Sequence, residues 1–341
     1  MVPRNNPLNM DYEKSSEIKR QILSKPSWIR DNAITNYILG EPSNKLVIGE
    51  KCDVLQNVER LPLGGKYGSI LKDIRPNKHH ILYKEIEKFE NKGCERLMMF
   101  DKQYGEYVRL KCEGLLEYLV SRELRKLQDP IFSNVIDVFE CQGKRFVELE
   151  KVNGKTLEQL LLPYKIYNKA IHTSRLDVYN LIVDKSGLPI DEINSILINL
   201  NYHLITSLFN AYDLLGFVDG DLSYSNIMAV RNPKTSSKVV TFKDKLYVLP
   251  KINYDFKIID YGISQIKIGD IIVCKDRPID FLESMNSWFC GRSPVLPPLL
   301  LKQVCNMLDE KYDFYSTGNK KYKASLLRDD LLEVLFFELK K

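Results

Sequence analysis

Phe217-Val-Asp-Gly-Asp221-Leu-Ser-Tyr-Ser-Asn226-Ile-Met228, followed by Phe256-Lys-Ile-Ile-Asp260-Tyr-Gly262, are the two stretches on which the fold turns. Each sets oxygen-bearing side chains against short apolar runs. Phosphoryl transfer asks little covalent help of a protein; it needs positioning, and cations that neutralise charge on phosphate oxygens. An aspartate on a loop, such as Asp221, can accept or orient an attacking hydroxyl. An asparagine five residues later reaches back across that loop to ligate magnesium. A second aspartate at the end of an apolar strand holds the metal that bridges the phosphates, and the glycine two residues on lets the chain turn away. Either stretch alone reads as ordinary turn residues. The two in this order, behind a long apolar helix, favour the catalytic reading.

That helix starts at Asp191, where Ile193, Ile196, Leu197, Leu200, Leu204, Leu208 and Tyr212 share one side. Between the two stretches a polar insertion, Arg231–Lys245, separates strand-like Asn226–Val230 from Tyr254–Ile259 and reads as a surface hairpin. Upstream, 81–89, 96–100 and 106–112 read as three strands, 114–127 as a helix, and 135–139 and 146–149 as two further strands: a small α+β lobe. After Gly154 the pattern is mainly helical. Residues 1–75 are expected to form a partly helical extension, with helices near 11–23 and 27–39.

The two opening stretches resemble the catalytic loop and metal loop of the protein kinase superfamily, H-R-D-L-x-x-x-N and D-F-G. Asp-Leu-Ser-x-x-Asn is similar to the wording of the atypical RIO kinases and the related small tRNA-modification kinases. The resemblance implies a bilobal α+β protein-kinase-like fold: an N-terminal extension over 1–75, a small β-rich N-lobe over 76–152, and a mainly helical C-lobe over 153–341 with a reduced substrate-binding region. It implies that Asp221 is the catalytic aspartate and that Asn226 and Asp260 hold magnesium and ATP. Val108-Arg-Leu-Lys111 sits where V-A-I-K would, so Lys111 is expected on the α and β phosphates, steadied by Glu117 or Glu123. By spacing, the phosphate-covering loop is Glu90–Glu95 with the single glycine Gly93. Leu63-Gly64-Gly65-Lys66-Tyr67-Gly68 is the better glycine motif but lies far from Lys111. Phe146–Gly154 resembles the strand and hinge between kinase lobes, with backbone groups from Glu150 to Val152 at the adenine edge.

Departures from the family pattern bear on control and substrate. Asp219 and Gly220 stand where histidine and arginine are usual, so a phosphate on the activation segment lacks its customary arginine partner. Ser223 replaces a lysine, no Ala-Pro-Glu follows Gly262, and Asp280 is expected to open the next major helix. The function implied is an ATP- and magnesium-dependent serine/threonine protein kinase of atypical or viral type. The alternatives are a kinase for a small-molecule or RNA-linked acceptor, and a pseudokinase serving as a binding module.

Composition sets outer bounds. The 341 residues are 44% hydrophobic and 28% charged, which suits a globular chain with a real core. No apolar run reaches the roughly 18 to 20 residues of a membrane span, and the N-terminus lacks the apolar stretch of a signal peptide. Seven scattered cysteines (Cys52, Cys94, Cys112, Cys141, Cys274, Cys290 and Cys305) with no Cys-x-x-Cys pair predict reduced thiols, no zinc site and an intracellular, cytoplasmic setting, virus-associated if the chain is viral. The net charge of +5 comes with interleaved lysines and acids, which gives no clear nucleic-acid surface. ATP and a protein substrate are the partners expected.

Overall fold

The computed structural model describes residues 51–61, 68–78, 80–86, 96–101, 107–111, 115–142, 144–162, 175–233, 236–268, 271–274, 278–291, 296–312, 324–337 and 339. The chain divides into two units, the first made of 1–119, 136–149 and 267–277, the second of 120–135, 150–266 and 278–341. The helices expected within 1–39 lie outside the described residues.

The first unit is built on strands β1 (Val58–Arg60), β2 (Gly68–Asp73), β3 (Ile81–Ile86), β4 (Arg96–Asp101) and β5 (Tyr107–Lys111). Helix α1 (Leu115–Leu124) and strands β6 (Val135–Cys141) and β7 (Lys144–Glu150) follow, α1 running on into the second unit. One sheet has the order β1-β2-β3-β7-β6. Alternation along β3 turns Ile81 and Tyr83 to the buried side. There Tyr83 meets Phe139 edge-on at 5.9 Å, and Phe139 stacks on Phe146 at 5.4 Å. Tyr83 also hydrogen-bonds the buried Asp73 (3.2 Å). The Arg75 guanidinium bonded to Asp73 outweighs burial and holds that carboxyl down to about 2.

Two expectations are corrected by this sheet. Its first strands, β1 and β2, fall inside 1–75, so the β-rich lobe starts well before residue 76. Strands 96–100 and 106–112 do form, but β4 and β5 pair with each other (Arg96↔Lys111, Phe100↔Tyr107), and β4 pairs with a later strand, β15 (Ile271–Cys274). They are a hairpin after β3 that lies outside the β1-β2-β3-β7-β6 sheet. Strand propensity is local, whereas sheet membership depends on partners far away in sequence.

The cysteines are also corrected. Cys52, just before β1, is bonded to Cys141 at the end of β6 (Cα–Cα 5.0 Å) inside the Tyr83–Phe139–Phe146 core. A second disulfide joins Cys290 and Cys305 (Cα–Cα 5.7 Å), while Cys274 is buried. The compartment expected from reduced thiols loses that support.

In the second unit the short strand β8 (Lys155–Thr156) leads into α2 (Leu157–Leu161), whose start is closed by a reciprocal cap between Thr156 and Gln159. Helix α3 (Arg175–Lys185) precedes α4 (Ile190–Leu215), which buries the predicted face from Ile193 to Leu208. Gly216, at φ 59°, ends α4 in the left-handed conformation glycine accepts without penalty. The chain then runs through β9 (Val218–Asp219), β10 (Ile227–Arg231), β11 (Lys238–Phe242), β12 (Lys245–Leu249), β13 (Tyr254–Ile258) and β14 (Ser264–Ile268). Helices α5 (Phe281–Cys290), α6 (Pro298–Tyr312) and α7 (Ala324–Phe337) complete the unit.

The insertion is a hairpin as expected, although its strands extend past Lys245. Its turn puts Lys243 and Asp244 at φ 47° and 61°, the geometry of a two-residue hairpin loop that usually calls for Asn-Gly. Lys243 is held there by an ion pair to Glu333 of α7 (2.7 Å). The helix expected from Asp280 is α5, capped by that residue's side chain on the Glu283 N–H (3.0 Å). Among the described residues no helix is long and apolar enough to cross a membrane.

Candidate active site

The end of α4 decides where the Asp221 loop starts. Phe217 is fully buried after Gly216, and β9 pairs with β14 so that Asp219 faces Ser264 and Val218 faces Gln265. Gly220 then donates its N–H to the Ile263 carbonyl (2.8 Å). A Cβ at that position would stand 2.6 Å from the same carbonyl oxygen and 2.6 Å from the Ile279 side chain. Glycine is required for close backbone approach, and the arginine usual in kinases has no room.

Asp219 acts as a bracket for the loop. Its Oδ1 accepts the Asp221 N–H (2.9 Å), and its main-chain carbonyl accepts the Ser284 hydroxyl of α5. Asp219 is 3% exposed, and among the described residues neither its Oδ2 nor the buried Ser264 hydroxyl on the facing strand has a protein partner. Burial pushes its pKa up to about 7, against the pull of the Asp221 N–H and helped by the charges of Asp221 and Asp260. A proton is therefore retained in the folded state from about pH 4, where an unfolded aspartate loses it, to about pH 7, and wild-type stability falls through that window as pH rises. Asp219→Asn removes the titration. Its advantage in urea unfolding over wild type should grow between pH 5 and pH 8, by on the order of 3 kcal/mol. A gap that does not change with pH would refute the buried acid.

Asp221 itself is exposed, at the tip of the loop. The Asn226 amide nitrogen reaches back to the Asp221 carbonyl (2.8 Å) and to its Oδ2 (3.2 Å). With Nδ2 so engaged, the oxygen end of the amide points the other way. Tyr224 anchors the loop from below, buried and edge-on to Trp288 of α5 (6.1 Å), and Trp288 donates to Asn201 of α4 (2.9 Å).

The second stretch is tied to the first through the backbone. β10 and β13 pair antiparallel with Ile227 opposite Ile258, and the Ile259 N–H donates to the Asn226 carbonyl (2.8 Å). This puts Ile259, the residue before Asp260, opposite Asn226. Asp260 has φ 64°, a left-handed conformation that costs a non-glycine residue energy and is seen where surrounding contacts impose it. Those contacts are visible. Asp260 Oδ1 accepts the Gly262 N–H (3.2 Å), and buried Tyr261 points its hydroxyl at the Ser133 and Ile258 carbonyls (3.0 and 3.2 Å). The Tyr261 ring sits edge-on to Phe217 (6.3 Å), which sits edge-on to Phe132 (5.7 Å). The structure thus brings Asp221, Asn226 and Asp260 into one loop system. Two carboxylates and an amide oxygen suit a hard cation such as magnesium. Among the described residues no three His, Cys, Asp or Glu side chains form a metal cluster.

The helix glutamate meets a lysine other than Lys111. Lys111 ends β5 in the inserted hairpin, opposite Arg96. Within the first unit Glu117 of α1 is 5% exposed and paired with Lys84 of β3 at 2.7 Å, and Lys84 is itself 14% exposed. β3 is the third strand of the five-stranded sheet, and Lys84 is the residue on it that meets the helix glutamate. Glu123, the other candidate, pairs with Arg122 (2.8 Å) and Lys126, close by in sequence. The Lys84–Glu117 pair is not foreseen from sequence because 96–111 also reads as strand and draws the expected partner of the helix glutamate to Lys111. The available signal was Gly64-Gly65-x-x-Gly68, whose distance to Lys84 suits a glycine loop followed by one connecting strand. Gly93 lies outside the described residues, as do Gly64 and Gly65, which fall between β1 and β2 in sequence.

At the expected hinge, Glu150 takes hydrogen bonds from Asn134 Nδ2 (2.8 Å) and Lys257 Nζ (3.0 Å). Burial opposes its charge, but these partners hold its pKa below the usual carboxylate value. Its N–H goes to the Asn134 carbonyl (2.9 Å), and the Val152 carbonyl accepts the Gly154 N–H (3.1 Å).

No family model matches the chain, and no curated protein matches it in sequence. Among solved structures, the BubR1 kinase domain is similar with a TM-score of 0.50 at 10% identity, over 97% of this chain and 95% of that one. At such identity the likeness speaks for the fold alone. A β-rich N-terminal part followed by a helical C-terminal part, matched over nearly the full length, gives this chain the bilobal α+β fold of protein kinases.

Proposed function

We propose that the chain is an ATP- and magnesium-dependent phosphotransferase, an atypical serine/threonine protein kinase in which Asp221 orients the acceptor hydroxyl and takes its proton. The observation that carries this reading is the Asp221–Asn226–Asp260 loop system, linked by the Asn226 amide (2.8 Å) and the Ile259–Asn226 backbone bond (2.8 Å). Asn226 and Asp260 would hold magnesium, which when bound neutralises charge on the phosphate oxygens. The exposed Asp221 carboxylate can accept a hydrogen bond from an incoming hydroxyl. It takes the proton as the new phosphorus–oxygen bond forms and the bond to the leaving diphosphate breaks. Lys84, held by Glu117, is assigned the phosphate contact first given to Lys111, and Gly64–Gly68 the phosphate-covering loop first given to Gly93. A small-molecule or RNA-linked acceptor is the second reading, favoured by the short connection from Gly262 to α5 with no Ala-Pro-Glu.

Thermal shift tests the nucleotide site before any acceptor is known. With ATP at a hundred times its dissociation constant, stabilisation of about 2.7 kcal/mol is expected. It should need magnesium and vanish in Asp260→Ala. Stabilisation that ignores magnesium, or none at all, would remove the enzyme reading and leave a pseudokinase binding module.

A further inference from the structure

We infer that Ser264 is a positioning residue for Asp221, acting through Asp219 and one buried water molecule held between the two side chains. Its kinetic consequence, though not its structural basis, rests on the phosphotransfer proposed above. Asp219 and Ser264 stand directly opposite each other where β9 pairs with β14, so their side chains leave the ladder on the same face. Asp219 is 3% exposed and Ser264 0%. Asp219 Oδ2 and Ser264 Oγ are both buried, and among the described residues neither has a hydrogen-bond partner, so they do not bond each other. Buried polar atoms are nearly always paired, because leaving a bond unmade costs more than making it contributes. The Cβ atoms of opposed residues lie about 4.5–5.5 Å apart, which puts both oxygens within reach of a single water.

The donor set selects water over an ion. A hard cation takes about six oxygen ligands, and this place offers two uncommitted ones. The nearby main-chain carbonyls are engaged, that of Asp219 by the Ser284 hydroxyl and that of Ile263 by the Gly220 N–H (2.8 Å). An anion would meet a carboxyl group. Water can donate to one oxygen and accept from the other, and so satisfies both. The geometry also gives this water a task. The other oxygen of Asp219, Oδ1, accepts the Asp221 N–H (2.9 Å). A carboxyl group is planar, so whatever fixes Oδ2 fixes Oδ1 and, through it, the backbone of Asp221. β14 leaves the Asp260-Tyr-Gly262 turn, so a chain of hydrogen bonds runs from the strand behind Asp260 to the Asp221 loop. The Gly220–Ile263 bond beside it is made by backbone alone and does not involve the serine hydroxyl.

The test uses the full chain and begins without nucleotide. Amide hydrogen exchange, read residue by residue by NMR, should be about tenfold faster at Asp221 in Ser264→Ala than in wild type, and unchanged at Gly220. General loosening would speed both amides and would count against the inference. A crystal structure of the wild type should show one water within hydrogen-bond distance of Asp219 Oδ2 and Ser264 Oγ. With ATP and magnesium, Ser264→Ala should lower kcat about tenfold and leave the KM for ATP within about twofold. Ser264→Cys nearly keeps the shape of serine but is a weak hydrogen-bonding group, so it should behave as the alanine variant does. A wild type that transfers no phosphate would defeat the phosphotransferase reading, and the exchange rates and the density would still decide this one. Equal exchange at Asp221 in wild type and Ser264→Ala, wild-type exchange restored by cysteine, a direct Asp219–Ser264 bond, or a multiply coordinated cation between them would overturn the proposal.

Discussion

Asp221→Ala is expected to lower phosphate transfer from ATP to a generic protein acceptor by about 10³-fold, within the range for removing a general base, while ATP binding stays near wild type. The side chain is exposed and accepts through Oδ2 only the longer of two hydrogen bonds from Asn226, so its loss leaves the loop tied by the 2.8 Å bond to the backbone carbonyl. Asp221→Asn sharpens the experiment. It keeps an oxygen for the Asn226 amide but cannot take a proton, so it should fall nearly as far. If both variants transfer phosphate within about threefold of wild type, the catalytic role of Asp221 is lost.

The second large effect separates two lysines. Lys84→Met should reduce transfer by about 10²-fold or more, as expected when a cation on the transferring phosphates is removed, and Lys111→Met should leave transfer unchanged. Lys84→Met also breaks the 2.7 Å ion pair of Glu117, which is 5% exposed, and breaking a buried pair costs about 3–5 kcal/mol of stability. Lys84→Arg answers that complication. It keeps a positive charge beside Glu117 and so most of the stability, yet a guanidinium fork does not replace a compact ammonium. Folded Lys84→Arg with transfer lost supports the assignment. Full activity in Lys84→Met, or a matching loss in Lys111→Met, returns the role to the first-read lysine.

These two residues mark the limit of what could be read along the chain. Asp221, Asn226 and Asp260 were legible because their geometry is mostly local. A five-residue loop, two flanking strands and one backbone bond bring them together, and each step leaves a spacing in the sequence. The long helix before them was legible for the same reason, since burial of one face repeats every three to four residues. Lys84 was not, because β3, β4 and β5 have equal claims as strands, and only distant pairing shows which of them borders β7 and faces α1. The start of the β-rich lobe was misplaced likewise: β1 is only three residues long, and it joins the sheet through β2, which pairs in turn with β3.

Pairing across distance also decided the rest. Nothing near Cys52 marks it as the partner of Cys141, 89 residues away. The sequence by itself determined the kinds of side chain available for chemistry and the order in which they come, because loop chemistry and helix periodicity act over a few residues. Tertiary structure alone decided which lysine meets Glu117, which cysteines are joined, that Gly220 has no space for an arginine, and which serine faces Asp219. Each of those is settled by contacts between segments far apart in the chain, and such contacts leave no periodic trace in either segment.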